Sequence, residues 1–411
     1  MNGAGAFANR SIVFVNRFFY PDQSATAQVL TDLVRALSVR GFQVHVICSR
    51  QTYDDPNARM PPRDRIFGAR VHRVATTRFG RDRLFGRAMD YASFYASCAV
   101  ALLRVLKRGD VLIVKTDPPL MSILAAPIAA LKGVALLNWQ QDVFPEVATI
   151  LDKNPLPNWL DGWLRRLRNA SLRSARMNVV IGGRMRDYLA ASGIASAKLC
   201  VIENWADGEA IRPKSSGASA LRLRLGLADR FVVCYSGNLG RAHEYDTLLA
   251  AAEALKLEHA FVFLMVGGGA KMAALRRAVE ERALENFCFL PYQPREALDD
   301  SLAAADVHLA SLIPSLEGLI VPSKLYGVLA AGRPLIYIGR PDGEVAQVLD
   351  GAQCGLTVRV GDTAALTAAL KNLREHPELG AAMGTRARQL FCEKYTLATA
   401  VDRWVALLES D

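Results

Sequence analysis

The sequence predicts an α/β protein made of two consecutive doubly wound domains, and three observations carry that prediction. Short apolar runs alternate with amphipathic stretches along the chain, a pattern typical of a parallel sheet covered by helices on both faces. The alternation starts afresh near residue 230. The chain of 411 residues is long enough for two or three domains at roughly 150 residues each, so two sheets are favoured over one very large sheet.

The first half begins with a β-branched strand and an amphipathic helix. The strand is predicted over 12–16, and apolar residues at helical spacing predict a helix over 25–39 that Gly41 ends. The other elements predicted in this half are strands over 43–49, 111–115, 134–139 and 177–182 and an apolar helix over 120–131.

The second half repeats the pattern and ends in a helix. A Pro-, Ser- and Gly-rich segment, 213–220, is a hinge candidate between the halves. We place the N-terminal domain at 1–207 and the C-terminal domain at 208–390, and the final helical segment, 391–411, is a candidate to pack back on the first domain. Strands of the second half are predicted over 230–237, 260–269, 287–292, 307–312 and 334–339.

Composition excludes several classes of protein. Half of the residues are hydrophobic (51%) and 22% are charged, which excludes wholesale disorder and collagen. The seven cysteines are scattered singly, as in buried thiols of a reducing compartment rather than a disulfide framework or a metal site. No apolar run reaches the roughly 20 residues of a membrane-spanning helix, and the start does not resemble a signal peptide. A cytoplasmic protein is therefore expected.

The net charge of +10 resides in the first half of the chain. Residues 1–205 carry 28 Lys and Arg against 15 Asp and Glu, whereas residues 206–411 carry 22 against 25. Such asymmetry predicts that the two domains face different partners, one of them anionic.

Two glycine-containing loops in the second half directly follow predicted strands. The first, 236–243, reads SGNLGRAH, and the second, 267–269, is a run of three glycines. Small residues let a ligand approach the backbone, N–H groups at the next helix start can bind phosphate, and Arg241 or His243 can add positive charge. An ordinary β–α turn remains the alternative. Neither loop has the fingerprint of a nicotinamide-binding fold or of a P-loop.

The segment 314–327, PSLEGLIVPSKLYG, is the richest in candidate chemistry. It combines an acid, flexible backbone and a Ser–Lys pair ahead of a short apolar helix. This composition suits a sugar hydroxyl bound by Glu317 and a diphosphate bound by backbone N–H groups together with Lys324. The alternative is a solvated loop with a helix cap at Ser323.

Taken together and at this separation, SGNLGRAHEYDTLL and EGLIVPSKLYGVLAAGRP resemble the retaining GT-B glycosyltransferases of family 4. The likeness is to the bacterial branch that builds O-antigen, colanic-acid-like and other exopolysaccharides. In the first half, NRFFYPDQSATAQ, TDPPLMSILA and NWQQDVFPE look like the acceptor-domain signatures of that branch. The resemblance spans nearly the full chain and implies the GT-B fold, in which two Rossmann-like domains face each other across a cleft.

The resemblance implies roles for individual residues. Glu317 corresponds to the first of the two Glu residues of the family's motif, which contacts the donor sugar, and Lys324 lies near the phosphates. Asn238 and His243 stand where many relatives carry the Arg and Lys that stabilise the leaving group. Arg241 and Lys324 are therefore the candidates to supply the missing positive charge.

The rest of the implied site is less regular. The family's second Glu, which holds the nucleotide ribose, aligns with Gly327, and Glu344 is the candidate replacement. The backbone of 318–320 is expected to cradle the diphosphate. The expected donor-binding residues are Gly237, Asn238, His243, Gly267, Gly268, Tyr292, Gly318, Leu319, Ile320, Ser323 and Glu344, and the expected catalytic residues are Glu317, Arg241, Lys324 and Asp142.

The first half is expected to contribute a loop that faces the acceptor. The resemblance implies that Asp142 of QQDVFPE faces the cleft, with a turn-capping residue as the alternative. Ser24, Ala25 and Thr26 form the start of the first helix. Ser24 and Thr26 can cap that helix and leave its N–H groups for a phosphate.

Retaining sugar transfer requires stabilisation of the leaving nucleoside diphosphate as the glycosidic bond breaks. Arg, Lys and helix N-termini provide this without a metal ion, and no Asp-x-Asp-like pair stands beside the candidate site. We therefore predict a metal-independent hexosyl- or N-acetylhexosaminyltransferase without a cofactor. Its co-substrate is expected to be a nucleotide sugar, with UDP as the nucleotide.

Two basic segments of the first half contain aromatic residues. Residues 63–87 hold eight Arg against two Asp, and residues 159–176 place Trp159 and Trp163 on a helix with five Arg. Such segments fit the anionic inner face of the cytoplasmic membrane, and with the resemblance they suggest a polyprenyl-diphosphate-linked saccharide acceptor. The alternative is that the apolar face packs on the core. The glycosyltransferase motifs disfavour nucleic acid as the partner.

Two other functions stay open on the sequence alone. A non-hydrolysing UDP-sugar 2-epimerase shares the two-domain architecture, although the basic first half disfavours it. A non-catalytic relative that binds a nucleotide sugar or a membrane would fit the departures at Asn238 and Gly327.

Overall fold

The computed structural model describes residues 10–22, 24–53, 55, 57–79, 84–151 and 157–410. The chain divides into two compact units. Met1–Glu203 and Val401–Asp411 form the first unit, and Asn204–Ala400 form the second. The boundary therefore precedes the segment 213–220, in which we expected a hinge. That segment is anchored within the second unit, where Ser219 Oγ donates to Asp300 O at 3.0 Å.

The first unit is built on one eight-stranded sheet. Its strands are β1 (Ser11–Val15), β2 (Gln43–Ser49), β3 (Arg63–Ile66), β4 (Ala69–Val74), β5 (Val111–Lys115), β6 (Ala135–Gln140), β7 (Met177–Val180) and β8 (Leu199–Val201). Their order is β3-β4-β2-β1-β5-β6-β7-β8. Neighbours pair in parallel, except for the antiparallel hairpin β3–β4.

Helices cover both faces of this sheet, as parallel strands require. They are α1 (Ala25–Val39), α2 (Leu84–Val105), α3 (Met121–Lys132), α4 (Glu146–Leu151), α5 (Asn158–Ser174) and α6 (Gly183–Ala191). The chain returns to this unit at Val401, within its last helix, α15 (Leu397–Glu409). Trp404 of that helix is fully buried, and its ring packs edge-on against Trp139 at 4.8 Å between centroids.

The second unit repeats the architecture with a fully parallel six-stranded sheet. Its strands are β9 (Phe231–Ser236), β10 (Phe261–Val266), β11 (Phe287–Leu290), β12 (Val307–Ser311), β13 (Leu335–Ile338) and β14 (Gly355–Val358). Their order is β11-β10-β9-β12-β13-β14, the strand order of a dinucleotide-binding sheet. The helices are α7 (Ala220–Arg224), α8 (Asp246–Ala254), α9 (Met272–Glu281), α10 (Leu298–Ala303), α11 (Lys324–Ala330), α12 (Glu344–Ala352), α13 (Thr363–Glu375) and α14 (Pro377–Lys394).

The sequence pattern explains these elements. Phe14 lies in a central strand and is fully buried, since both faces of β1 are covered. Helix α1 buries Leu30, Leu33 and Leu37, which lie on one face at helical spacing. It ends at Val39, two residues before Gly41, whose φ of +88° is readily accessible only to glycine.

The predicted doubly wound α/β class is confirmed. The helix predicted over 25–39 coincides with α1, and every predicted strand overlaps an observed one. The hairpin β3–β4 was not predicted, because its alternating arginines hide the strand pattern. None of the described helices is long and apolar enough to cross a membrane.

Candidate functional site

Each sheet has one point where the strand order reverses, and ligands of such sheets bind outside the carboxyl ends of the strands there. In the second unit this point lies between β9 and β12. The loop after β9, 237–245, and the loop after β12, 312–323, begin at that point and carry the two motifs of the second half. The run of three glycines follows β10, the next strand along.

The loops after β9 and β10 touch through their backbones, and glycines make the contact possible. Leu239 N donates to Gly268 O at 2.7 Å. A Cβ on Gly267 would lie 2.5 Å from Gly237 O, and a Cβ on Gly269 would lie 2.6 Å from Leu239 O. Gly267 and Gly269 both have a φ of +122°. A side chain at either position would force the two loops apart.

Lys324 brings its ammonium group to these loops. Its Nζ donates to Asn238 O at 2.8 Å, lies 3.5 Å from His243 Nε2 and stands 4.6 Å from the centre of the Tyr235 ring. Burial lowers the pKa of Lys324 from 10.5 to about 7, because the charged form has lost much of its water. The fold thus places a lysine beside Asn238 and His243, the two positions at which the resemblance implies that an Arg and a Lys are missing.

His243 is a neutral imidazole with a defined tautomer. Its Nδ1 lies 2.6 Å from Ser311 O, and because a carbonyl oxygen only accepts, we assign the proton to Nδ1. Nε2 is then an acceptor on the side of Lys324. Burial, and next the charge of Lys324, lower the pKa of His243 to about 3. His243 therefore supports the lysine and supplies no positive charge of its own.

A second lysine that the sequence analysis did not single out joins the same loop. Lys271 Nζ donates to His243 O at 2.6 Å, and Lys271 N donates to Leu239 O at 3.0 Å. The only signal in the sequence was its place just after the run of three glycines. The two lysines make this corner of the second unit locally cationic.

Glu317 is half-buried against β13 and α12. Its Oε1 accepts a hydrogen bond from Glu344 N at 2.7 Å, and its Oε2 accepts one from the Tyr337 hydroxyl at 3.1 Å. Burial raises the pKa of Glu317, whereas these two hydrogen bonds act to lower it. The carboxylate is therefore held in one orientation by a donor on each oxygen.

The residues after Glu317 form a turn. Leu319 N and Ile320 N both donate to Leu316 O, at 3.0 and 3.3 Å, and Gly318 has a φ of +77°. Two of the N–H groups that we expected to cradle a diphosphate are thus engaged within the turn. Binding through them requires the turn to open.

The other expected donor-binding residues lie around this centre. Arg241 is exposed on the β9–α8 loop. Tyr292 is 60% exposed, and its ring lies 3.2 Å from where a Cβ on Gly268 would stand. Ser323 is exposed, and its side chain does not cap α11. Glu344 is the first residue of α12 and meets Glu317 through its backbone N–H.

In the first unit the strand order reverses between β1 and β5, and charged groups gather at that edge. Lys115, the last residue of β5, donates from Nζ to Thr26 O at 2.8 Å and lies 4.0 Å over the Trp139 ring. Burial lowers the pKa of Lys115 to about 7, which Asp117 and Asp142 oppose. Burial, and next the charge of Asp117, raise the pKa of Asp142 to about 6. Lys115 was not identified from the sequence.

The start of α1 differs from the expectation. The Ser24 hydroxyl and the Ser24 N–H both donate to Asp22 Oδ1, at 2.5 and 2.8 Å. The Ser24 side chain therefore accepts no hydrogen bond from the helix, and the expected cap is not formed. Ala25 begins the helix and is exposed, and Thr26 offers its carbonyl to Lys115.

Helix α5 presents an exposed stripe, which we call the α5 stripe. Trp159 and Trp163 are 74% and 51% exposed. Arg166, Ala170 and Arg173 continue the same face at helical spacing and are also exposed. The stripe combines two large aromatic residues with two cations.

Other arginines of this segment turn inward, which corrects the expectation of a uniformly basic surface. Arg168 is only 2% exposed; its Nη2 donates to Glu146 Oε1 at 2.7 Å, and its Nη1 donates to Phe144 O at 3.2 Å. Arg165 Nη1 lies 3.3 Å from the same Glu146 oxygen, and its Nε donates to Asp161 at 2.6 Å. The prediction that Arg168 lies on the surface is wrong, because Glu146 binds it.

The other basic segment, 63–87, forms the hairpin β3–β4 and the chain after it. Arg73 is buried and pairs with Asp64 at 2.9 Å. Positions 81 and 83 and the side chain at 87 lie outside the described residues. The exposed arginines of the described part are Arg63, Arg65, Arg70 and Arg78.

Comparison with known proteins gives the class. Residues 24–205 match the glycosyl transferase 4-like domain family, and residues 230–376 match the glycosyl transferases group 1 family. The second match contains both Lys324 and Glu317. The chain belongs to the GT-B glycosyltransferases, and the resemblance drawn from its motifs is confirmed.

Three curated relatives narrow the comparison. The chain is 29% identical over 306 residues to the probable glycosyltransferase WbjE of Pseudomonas aeruginosa. This alignment covers 72% of this chain and 74% of WbjE. It is 27% identical to the putative colanic acid biosynthesis glycosyl transferase WcaI of Escherichia coli K12, over 54% of this chain and 56% of that protein. It is 28% identical to a GDP-mannose-dependent α-(1-6)-phosphatidylinositol monomannoside mannosyltransferase of Mycolicibacterium smegmatis, over 60% of this chain and 64% of that protein.

A solved structure extends the likeness to the whole fold. HepE of Anabaena, crystallised with UDP and glucose, superposes with a TM-score of 0.74 at 15% identity. The match covers 98% of this chain and 100% of that one. The same protein has also been crystallised with UDP-glucose. At this identity the likeness shows the fold alone.

Proposed function

We propose that this chain is a retaining glycosyltransferase of bacterial surface-polysaccharide synthesis. It moves a hexosyl or N-acetylhexosaminyl group from a UDP-sugar to a polyprenyl-diphosphate-linked saccharide at the inner face of the cytoplasmic membrane. The observation that carries the proposal is the Lys324 ammonium at the two glycine loops, where the second sheet reverses its strand order. The names of WbjE and WcaI support the polysaccharide role, and the UDP complexes of HepE support the nucleotide.

Lys324 stabilises the leaving diphosphate in this mechanism. Breaking the glycosidic bond leaves negative charge on the diphosphate, and a preorganised ammonium lowers the energy of that charge without reorganisation. His243 Nε2 and Asn238 O hold the ammonium in place before the donor arrives. Lys271 adds a second positive charge on the same loop. These lysines support a reaction that requires no metal ion.

Glu317 binds the sugar. Glu344 N and the Tyr337 hydroxyl donate to its two oxygens, and because a carboxylate has about four lone-pair sites, it can also accept a hydrogen bond from a sugar hydroxyl. Single hydrogen bonds of this kind discriminate between epimers, since a hydroxyl of the wrong configuration does not reach the carboxylate. The ionised form is required, so donor binding weakens as the pH falls through the raised pKa of Glu317.

The first unit binds the acceptor. Asp142 lies at the carboxyl edge of its sheet with Lys115. A small pocket at that edge is lined in part by Lys115, Gln140 and Arg168. We assign to Lys115 and Arg168 the recognition of acceptor phosphate and to Asp142 the recognition of a sugar hydroxyl.

The α5 stripe and the exposed arginines of the β3–β4 hairpin bind the membrane surface. Trp159 and Trp163 are amphipathic and favour the headgroup level, and the arginines are attracted to anionic lipid. This arrangement brings the active site to a lipid-linked substrate.

Thermal unfolding with a panel of nucleotides and nucleotide sugars, run in EDTA, tests the donor. A ligand that binds only the native state raises its stability. We expect UDP to raise the midpoint and one UDP-sugar to raise it further. A rise with GDP-mannose alone would make the nucleotide GDP, as in the mycobacterial relative's name. No rise with any nucleotide would refute the proposal.

Sedimentation with anionic vesicles tests whether the protein binds a membrane surface. Changing Trp159 and Trp163 to serine should release the protein from anionic vesicles, whereas the matched change of Trp404, which is buried, is expected to unfold the first unit instead. Wild-type protein that does not sediment with the vesicles would refute the proposed membrane binding but would not bear on the proposed glycosyltransferase activity. Conversion of a UDP-sugar to its epimer without acceptor would favour the 2-epimerase, and binding without turnover the non-catalytic relative.

A further inference from the structure

Tyr337 brings one polar atom into an otherwise apolar strand. It lies in β13 between Ile336 and Ile338, and all three residues are buried. Its hydroxyl donates to Glu317 Oε2 at 3.1 Å. Burial, and next the neighbouring Glu317, raise the pKa of Tyr337, so the hydroxyl keeps its proton and remains a donor at physiological pH.

Helix α12 holds the other oxygen of the same carboxylate. Glu344 N, at the start of this helix of nine residues, donates to Glu317 Oε1 at 2.7 Å. These two hydrogen bonds, one to each oxygen, fix the plane of the carboxylate. The lone pairs that remain therefore point in set directions.

Two glycines leave the space that this arrangement needs. A Cβ on Gly339 would lie 2.4 Å from Tyr337 Cζ, and a Cβ on Gly343 would lie 2.4 Å from Glu317 Oε2. Neither glycine has a positive φ, so the backbone conformation alone does not require glycine at either position. The requirement comes from the tyrosine ring and the carboxylate.

We propose that Tyr337 is a positioning residue that, together with the first turn of α12, holds the Glu317 carboxylate in the orientation that binds the donor sugar. The inference rests on the proposed function for the identity of the bound sugar as a donor. Tyr337 itself touches Glu317 and contributes nothing to the nucleotide.

The charges around Glu317 determine how its pKa responds. Tyr337 on β13 and the Glu344 N–H on α12 donate to it, the Gly318 N–H beside it also favours the charged form, and the Glu344 side chain opposes its ionisation by like charge. Arg340 faces it from the loop between β13 and α12, and its guanidinium is paired with Asp342 at 2.6 and 2.9 Å. Removing the tyrosine hydroxyl removes a hydrogen bond that favours the carboxylate, so the pKa of Glu317 rises further.

Titration calorimetry of Tyr337→Phe with UDP and with the UDP-sugar that wild type prefers measures the effect. We expect UDP affinity to be unchanged and the UDP-sugar to bind about tenfold more weakly, because a carboxylate without this hydrogen bond must be brought into the binding orientation when the sugar binds. We also expect the acid limb of UDP-sugar binding to move to higher pH. Unchanged UDP-sugar affinity with an unchanged acid limb would overturn the inference.

A matched control removes the same kind of contact elsewhere. The Tyr188 hydroxyl donates to Glu146 Oε1 at 2.9 Å in the first unit. Tyr188→Phe should lower the midpoint of unfolding by a similar amount and leave the affinity ratio of UDP-sugar to UDP as in wild type. A changed ratio in Tyr188→Phe would mean that the readout reports stability, which would overturn the inference.

A double-mutant cycle tests the contact without ligand. We expect Tyr337→Phe to lower the unfolding midpoint less in a Glu317→Gln background than in wild type. Additive shifts would overturn the inference. Wild-type protein that binds no nucleotide would instead refute the proposed function, so the two failures are distinguishable.

Discussion

Replacing Lys324 with methionine should stabilise the ligand-free protein and weaken nucleotide binding at the same time. The side chain packs into the glycine loops with its ammonium near Asn238 O, His243 Nε2 and the Tyr235 ring. None of these contacts of the ammonium is with a carboxylate. The folded chain therefore bears the cost of partly dehydrating a charge for which a diphosphate is the natural partner.

The size of the stability gain follows from the pKa of Lys324. Its fall from 10.5 to about 7 corresponds at neutral pH to on the order of 5 kcal/mol, at about 1.4 kcal/mol per unit. The side chain keeps contact with water, and screening removes most of this energy. The change also deletes the hydrogen bond to Asn238 O. We expect a net gain of about 1 kcal/mol, which raises the midpoint of the second unit by roughly 2–4 °C.

The pH dependence has a definite sign. The unfolded chain binds the lysine proton more tightly than the folded chain, so wild type gains stability as the pH rises from about 7 to 10.5. Bound diphosphate reverses the preference and raises the pKa of Lys324, so UDP binding takes up a proton above pH 7. Wild-type affinity for UDP should therefore fall as the pH rises above 7, whereas Lys324→Met should lack this dependence.

Scanning fluorimetry without ligand and calorimetry with UDP at pH 7, 8 and 9 measure both effects. We expect Lys324→Met to bind UDP about 10- to 100-fold more weakly, the loss of a charge-assisted hydrogen bond. Lys256→Met changes an exposed lysine of the same unit and should alter neither quantity. Wild-type UDP affinity in Lys324→Met, with the wild-type pH profile, would refute the reasoning.

Three further predictions concern packing, charge pairing and histidine burial. Gly267→Ala should lower the free energy of unfolding, measured by urea denaturation, by about 3 kcal/mol, because the φ of Gly267 is +122° and a Cβ would lie 2.5 Å from a backbone oxygen. The control Gly217→Ala should leave the free energy of unfolding unchanged, because the space around Gly217 is open. Arg168→Met breaks a buried ion pair with Glu146 and should lower the free energy of unfolding by about 3–5 kcal/mol. The control Arg166→Met, on the α5 stripe, should lower it by less than about 0.5 kcal/mol, and equal urea midpoints for the two variants would contradict the prediction. Burial lowers the pKa of His45 to about 4, so the unfolded state takes up the proton first and stability falls between pH 6.5 and 4; His45→Gln should reduce that loss in urea midpoints measured at pH 7 and 5.

Local pattern was enough to predict the central strands of both sheets and the segments of the site, but not the strands β3, β4, β8 and β14. Strands such as β9 and β10 are continuous apolar runs because both faces are buried, and the period of α1 shows in its leucines. The loops that follow those strands lie at a predictable edge of the sheet. Glycines 237 and 267 were therefore recognised together with the motif that contains Lys324.

Contacts between distant residues could not be predicted in the same way. Lys324 and Asn238 are 86 residues apart, and Lys115 and Thr26 are 89 apart; neither pair leaves a local pattern. From the sequence alone Arg168 is expected at the surface, whereas in the structure it is bound by Glu146 of α4. These pairings depend on strand order and helix packing, which composition and spacing do not specify.

The return of the last helix to the first unit affects how the protein folds during synthesis. Trp404 packs against Trp139 in the core of that unit, yet it is translated roughly 200 residues after β8. At ribosomal rates of about 5–20 residues per second, the nascent first unit waits on the order of 10–40 s with that part of its core open. During this time Trp139 is exposed to chaperones, and the second unit must be made before the first can be completed.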